Sequence, residues 1–231
     1  MRWWSNERDQ HPRSRMGKTD TPIATCGNIT LYKQDLELLD APNWINDRII
    51  AFYAEYLNEQ SAKNRDKQTV FCVDPSLVFW LLYCNDWNEC VETLKNITGY
   101  EYILFPLNDS DALYSPESPL TGSHWTLLVF IPNRKLFIEY DSLQRSTPSK
   151  NGKAFADKLE KLFNLTGSQY VMEKVPTQTN NYDCGIYVMR IMELYVQYSA
   201  PPPLQTLHES LPSDQLTEKR KQLRQLLSSF S

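Results

Sequence analysis

Histidine and glycine are scarce in this chain, at three and seven of 231 residues. No excess of basic residues is present: the net charge is −4 and no dense Lys/Arg patch occurs, which argues against nucleic-acid binding. No run reaches the roughly 18–20 apolar residues that a membrane span needs. The first fifteen residues are polar and basic and lack an apolar h-region, so no secretory signal is expected. The five cysteines are an odd number at irregular spacing. That predicts free thiols and a reducing compartment, hence a cytoplasmic or nuclear protein. Cys72, Cys84 and Cys90 lack paired C-x-x-C spacing and a neighbouring histidine, so no metal site is expected, nor any other cofactor.

The remaining composition is globular. Hydrophobic residues make up 41% and aromatics 12%, enough for one sizeable core. Residues 1–24 have no hydrophobic period and read as a disordered tail, leaving 25–231 as a single domain. Residues 44–60 carry a helical apolar stripe, with Asn43 available as its cap. Residues 69–73 read as a strand. Asp74-Pro75 opens a helix to about Tyr83, with Asp at the cap and Pro at the first helical position. A short helix over 86–96 and a strand over 100–107 follow. Two β-rich runs, 125–131 and 135–140, flank Pro132-Asn133-Arg134 and predict a hairpin. Helices are expected over 150–163, 183–198 and 214–230, and a strand over 170–175. This order points to an α+β domain.

The chemistry concentrates near the end of the chain, at Tyr182-Asp183-Cys184-Gly185-Ile186. Cys184 stands where an apolar helix begins. A thiol there faces unpaired N–H groups and the positive end of the helix dipole, and both favour the nucleophilic thiolate. An isolated cysteine is more often just another buried apolar residue, so its companions decide. His124 is the one histidine in predicted core structure. His11 falls in the tail and His208 follows a proline break. A hairpin turn centred between Pro132 and Asn133 would set His124 directly opposite Asp141 on one face. An aspartate there would orient the imidazole and raise its basicity. Gln178, just upstream of Cys184, could supply an amide donor to an oxyanion, although a glutamine alone says little. Gly185 would leave room for a substrate to approach.

With these residues in view, the chain resembles the Ulp/SENP proteases that cleave ubiquitin-like modifiers. "NWIND" at 43–47, "GSHWTLLVF" at 122–130, "YDS" at 140–142 and "PTQTNNYDCGIYV" at 176–188 look like four elements of that family, in the family's order. The resemblance implies a papain-like cysteine protease fold with a mixed or antiparallel central sheet flanked by helices. It implies Cys184 as nucleophile, His124 as general base and then acid, Asp141 as its orienting acid, and Gln178 in the oxyanion hole. Trp44 and Trp125 would roof a tunnel over a Gly-Gly tail, where two indoles leave no room for a Cβ. Either tryptophan could equally be core packing. Asp47 would contact the modifier, and it could equally be a first-turn acid stabilised by the helix dipole.

Within the family, "LLDAPNWINDRIIAFYAEYL" at 38–57 is similar to the deneddylase branch, which acts on Nedd. Sumo-directed members tend to carry an acidic residue where this chain has Arg48. The implied partners are Nedd and its conjugates, cullins among them, met by a monomer. Three rivals stand beside this reading: a Sumo-directed protease, an acetyltransferase using the same Cys-His-acid arrangement, and a non-catalytic adaptor that binds a ubiquitin-like protein. An adaptor would not need all four of Cys184, His124, Asp141 and Gln178.

Overall fold

The computed structural model of the protein describes residues 21–63, 69–110 and 122–230. Two short strands, β1 (Pro22–Cys26) and β2 (Ile29–Tyr32), pair antiparallel. Helices α1 (Lys33–Glu37) and α2 (Asp47–Lys63) follow, then strand β3 (Val70–Cys72) and helices α3 (Pro75–Tyr83) and α4 (Trp87–Lys95). The sheet continues with β4 (Tyr102–Asn108), β5 (Trp125–Ile131) and β6 (Leu136–Tyr140), then α5 (Lys150–Leu162) and β7 (Gln169–Glu173). Helices α6 (Cys184–Tyr198), α7 (Leu204–Ser210) and α8 (Ser213–Ser228) close the domain.

The larger sheet runs β3-β4-β5-β6-β7. Its outer pairs, β3 with β4 and β6 with β7, are parallel, and its inner pairs are antiparallel. It is the mixed central sheet expected of an α+β domain. Alternation along β5 divides the interior in two. Leu127, Val129 and Ile131 face one core with residues of α2, α6 and α8. Leu128 and Phe130 face the other, with residues of α3, α4 and α5. Both sides of β5 are covered, so it reads as an unbroken apolar run.

The predicted elements form with small shifts of boundary, and four differences have physical causes. The predicted tail reaches residue 24, yet β1 begins at Pro22; residues 1–20, with His11, lie outside the described residues. The β1–β2 turn uses Gly27 at φ +54°, a left-handed conformation that glycine adopts without strain. That Gly-Asn pair was a legible hairpin signal. Helix α2 starts at Asp47 and is capped by Asn46, whose Oδ1 accepts from Ile49 N at 3.0 Å, not by Asn43. Lastly, the β5–β6 connection is longer than a two-residue turn. Pro132–Arg134 forms a single 3₁₀ turn and Lys135 adds a left-handed residue at φ 49°. Leu127 therefore pairs with Tyr140, where the turn centred at 132–133 would have put Trp125. The two-residue displacement keeps every side chain on its expected face, because the side-chain period is also two.

Helix α5 is held to the sheet by Phe155, fully buried and edge-on to Phe105 with ring centroids 5.0 Å apart. We expect Phe155→Ala to lower the unfolding free energy by about 3–5 kcal/mol, measured by urea denaturation. A loss below 1 kcal/mol would mean that the α5 side of the core collapses readily around the void.

Candidate functional site

Three segments distant in the chain meet at the start of α6. The first is the loop before Cys184. Asn180 organises it: its Oδ1 accepts from Tyr182 N at 3.1 Å and Asp183 N at 3.0 Å, and its Nδ2 donates to Asp183 Oδ2 at 2.7 Å. Asp183 is the cap residue of α6 but makes no side-chain capping bond to the helix. Its carboxylate turns instead to Arg220 of α8, whose Nε donates to Oδ1 at 2.8 Å. The first-turn N–H groups are thus not consumed by a cap, and the field at Cys184 is that of an open helix start.

The second segment leads into β5. Asp109 Oδ1 accepts from His124 N at 2.9 Å and its Oδ2 from Ser123 Oγ at 2.9 Å, which fixes His124 just before the strand. The third follows β6. The displaced register sets Asp141, just past the ladder, against position 126, so it meets His124 diagonally and not head-on. The side chains still reach: His124 Nε2 donates to Asp141 Oδ1 at 2.7 Å. A carboxylate can only accept, so Nε2 carries the proton and Nδ1 is left for Cys184. Asp141 Oδ1 also accepts from Leu143 N at 2.9 Å, and Arg145 Nε lies 3.8 Å from Oδ2.

Burial by itself would lower the His124 value, but hydrogen bonding to Asp141 and Cys184, and their charges, outweigh it and raise it to about 9. Burial would also raise Asp141. The His124 and Leu143 hydrogen bonds and the His124 and Arg145 charges overcome that and hold it below 3.8. Cys184, His124 and Asp141 are 3%, 3% and 6% exposed; little water competes with these contacts.

Gln178 is buried beside them. Its Oε1 accepts from Ser142 Oγ at 2.7 Å, its Nε2 donates to Asn180 O at 2.8 Å, and its backbone N donates to Ser142 O at 2.9 Å. One Nε2 hydrogen makes that bond, and an amide has two.

The two tryptophans converge as well. Trp44 is 45% exposed, which removes the core-packing reading for it. Trp125 is half-buried, and its Nε1 donates to Ile45 O at 3.1 Å, tying it to the segment that carries Trp44. With Asp47 they line a cavity of about 440 Å³ whose apolar wall includes Val78, Phe79, Leu82 and Leu107. Cys184 and His124 do not line it; it approaches them through Trp125, the residue after His124. Asp47 is also a first-turn acid, with Oδ1 accepting from Arg48 N at 2.9 Å, so both readings of that residue hold. Gly185 serves a different purpose from the one its position suggested. A β-carbon there would lie 2.9 Å from Ile45 Cβ, so the space is filled by Ile45 and the glycine lets the Trp44 segment pack against α6. His208 is exposed on α7, away from this cluster.

Sequence reasoning did not identify Arg220, Asp109, Asn180 or Ile45. Asn180 had a signal, an Asn poised for an Asx turn ahead of a helix. Asp109 and Arg220 had none, since each acts across a contact distant in the chain.

Residues 43–228 match the model of the Ulp1 protease family C-terminal catalytic domain. Human sentrin-specific protease 8 is 29% identical to this chain over 216 residues, spanning 92% of the chain and 99% of that protein. NEDD8-specific protease 1 of Arabidopsis thaliana is 28% identical, across 75% of the chain and 76% of that protein. The X-ray structure of the C-terminal Ulp1 protease domain in complex with Smt3, the yeast ortholog of SUMO, superposes with a TM-score of 0.68 at 22% identity. It covers 93% of the chain and 90% of that domain, and so establishes the fold. The papain-like sheet-and-helix architecture, the family match along most of the chain and these relatives agree: the chain belongs to the Ulp1 protease family and is a cysteine peptidase of that family.

Proposed function

We propose that this chain is a deneddylase, which cleaves after the C-terminal Gly-Gly of a Nedd-type modifier to mature its precursor and to release it from conjugates, cullins among them. The observation that carries the reading is the His124–Asp141 pair, joined by hydrogen bonding to a cysteine at a helix start with no side-chain cap. Cys184 attacks the carbonyl of the terminal glycine. The carbonyl oxygen becomes an oxyanion, held by the free Nε2 hydrogen of Gln178 and the backbone N–H of Cys184. His124, which takes the thiol proton as base, passes it to the departing amine, leaving a thioester on the sulfur. Water, deprotonated by His124, attacks the thioester, and the thiol is restored. Asp141 keeps the imidazole in the required tautomer throughout.

The choice of modifier rests on other features. A relative named for NEDD8 specificity matches over three-quarters of the chain. At the position after the NWIND element the chain carries Arg48. That side chain is held by Asp35, with Nη1 3.1 Å from Oδ2, and lies over the Tyr32 ring. A basic group presented there disfavours a modifier that needs an acid at this position. A Sumo-directed protease is the second reading, and the enzyme works as a monomer on either.

The modifier is tested with Nedd, Sumo and ubiquitin probes that each end in a thiol-reactive group. We expect the Nedd probe to label the wild type and not Cys184→Ala, while Cys184→Ala still binds Nedd. Preferential labelling by the Sumo probe would reassign the substrate, and labelling of Cys184→Ala would end the nucleophile assignment. Trp125→Ala is expected to weaken discrimination between tails ending in Gly-Gly and tails ending in Ala-Gly, and unchanged kinetics on both would dismiss the tunnel.

The raised His124 value also has a signed consequence for stability. A group raised from 6.5 to about 9 on folding stabilises fully below pH 6.5, and that contribution is lost as pH rises through 9. Asp141→Asn removes a charge that holds the proton on His124. The decline in unfolding free energy between pH 6.5 and 9 should therefore be shallower in Asp141→Asn than in the wild type, as read from denaturation at each pH. Identical slopes would contradict a protonated imidazole at neutral pH.

A further inference from the structure

Arg220 lies on the C-terminal helix, and its role in the site is not implied by the sequence motifs. It is 5% exposed, yet all three of its guanidinium nitrogens are engaged. Nε and Nη2 both reach Asp183 Oδ1 at 2.8 Å. Nη2 also donates to Tyr182 O at 3.1 Å and Asn43 O at 3.0 Å, and Nη1 donates to Leu38 O at 3.1 Å. The Tyr182 ring lies 5.4 Å from the guanidinium carbon. These acceptors belong to two loops. Tyr182 and Asp183 immediately precede Cys184, while Leu38 and Asn43 belong to the segment that ends at Trp44. Nothing in the local sequence of either loop holds it against the other, and the Ile45–Gly185 contact is purely steric.

We propose that Arg220 is a positioning residue of the active site, a lock that holds the backbone ahead of the cysteine and the backbone ahead of Trp44 in one relative setting. The proposal rests on the reading of Cys184 as nucleophile and of Trp44 as part of the tail groove. A peptide carbonyl held by the groove must lie within bonding reach of the sulfur, and the two are carried by different loops. A planar fork with five donors can satisfy acceptors from both loops at once; an ammonium, with three donors on one point, cannot reproduce that geometry. The adjacent Lys219 offers a natural comparison. It is 6% exposed and ionically paired as well, but its Nζ joins Tyr53 at 2.7 Å and Glu193 at 2.8 Å. It therefore ties α8 to α2 and α6 and touches neither loop of the site.

The test compares Arg220→Lys, Arg220→Gln and Lys219→Met in the full chain, using C-terminal fluorogenic derivatives of Nedd, Sumo and ubiquitin, with iodoacetamide as a second probe. Assays are run well below the melting temperature of each variant. Since misplacement by about 1 Å can cost about a hundredfold, we expect Arg220→Lys to lower kcat about ten- to a hundredfold. Iodoacetamide needs no groove, so its rate with Cys184 should stay within about twofold. Lys219→Met should melt lower while keeping its kcat. Arg220→Lys decides the matter should Arg220→Gln fail to fold. Retained kcat in Arg220→Lys would overturn the lock, as would an equal loss of kcat in Lys219→Met or a parallel loss of iodoacetamide reactivity. A wild type inactive on all three derivatives would instead overturn the reading of the site, and the lock with it.

Discussion

One buried hydrogen bond, from His124 Nε2 to Asp141 Oδ1 at 2.7 Å, organises the candidate site of this protein. Placing an imidazole and a carboxylate out of water is unfavourable unless each is compensated. Here the compensation is local: Leu143 N donates to Oδ1, Oδ2 has no hydrogen-bond donor among the described residues and meets the Arg145 charge at 3.8 Å, and Cys184 lies on the other side of the imidazole. The pair sits at the end of the β5–β6 ladder, where backbone hydrogen bonding stops and side chains can take over. The rest of the site is arranged around it. Helix α6 carries Cys184 at its start, and two hydrogen bonds to Ser142 hold Gln178.

The fold makes this possible by fully covering both faces of β5. The α2–α6–α8 layer supplies the helix start and is led into by the segment with Trp44, while α3 and β4 supply the apolar wall of the cavity. Between these layers the sheet acts as a ruler. Because strands displace side chains in steps of two, the two-residue change of register left His124 and Asp141 on a common face. A one-residue change would have separated them. The pairing inferred from the turn was thus correct in its partners and incorrect in its frame.

The loops of the site are held by polar side chains as well as by apolar packing. Asn180, Asp183 and Arg220 form one connected set, whose side-chain hydrogen bonds are directed at backbone or carboxylate. Such networks stabilise when complete and destabilise when one member is removed. Asp183 illustrates the division of labour. Its backbone caps α6 while its side chain is committed elsewhere, so no side-chain cap engages the first-turn N–H groups.

Elements with a strong local signal were legible from residues alone. Asp74-Pro75 opened α3, the apolar period ran through α6, and the β-rich runs of β5 and β6 were plain. Cys184, His124 and Asp141 could be singled out because helix starts, hairpin pairing and the scarcity of histidine are local or compositional facts; Gln178 stood out only by lying just upstream of Cys184. Only the tertiary structure decided that Lys135 lengthens the turn, that Asn46 caps α2, and that Gly185 makes way for Ile45. It alone brought Arg220 to Asp183 and Asn43. Those outcomes depend on which distant surfaces come to rest together, and a buried guanidinium is satisfied by whatever carbonyls the folded chain presents to it. Local chemistry is written in short stretches of sequence, whereas alignment between loops is set by packing, where contacts carry no trace of their separation along the chain.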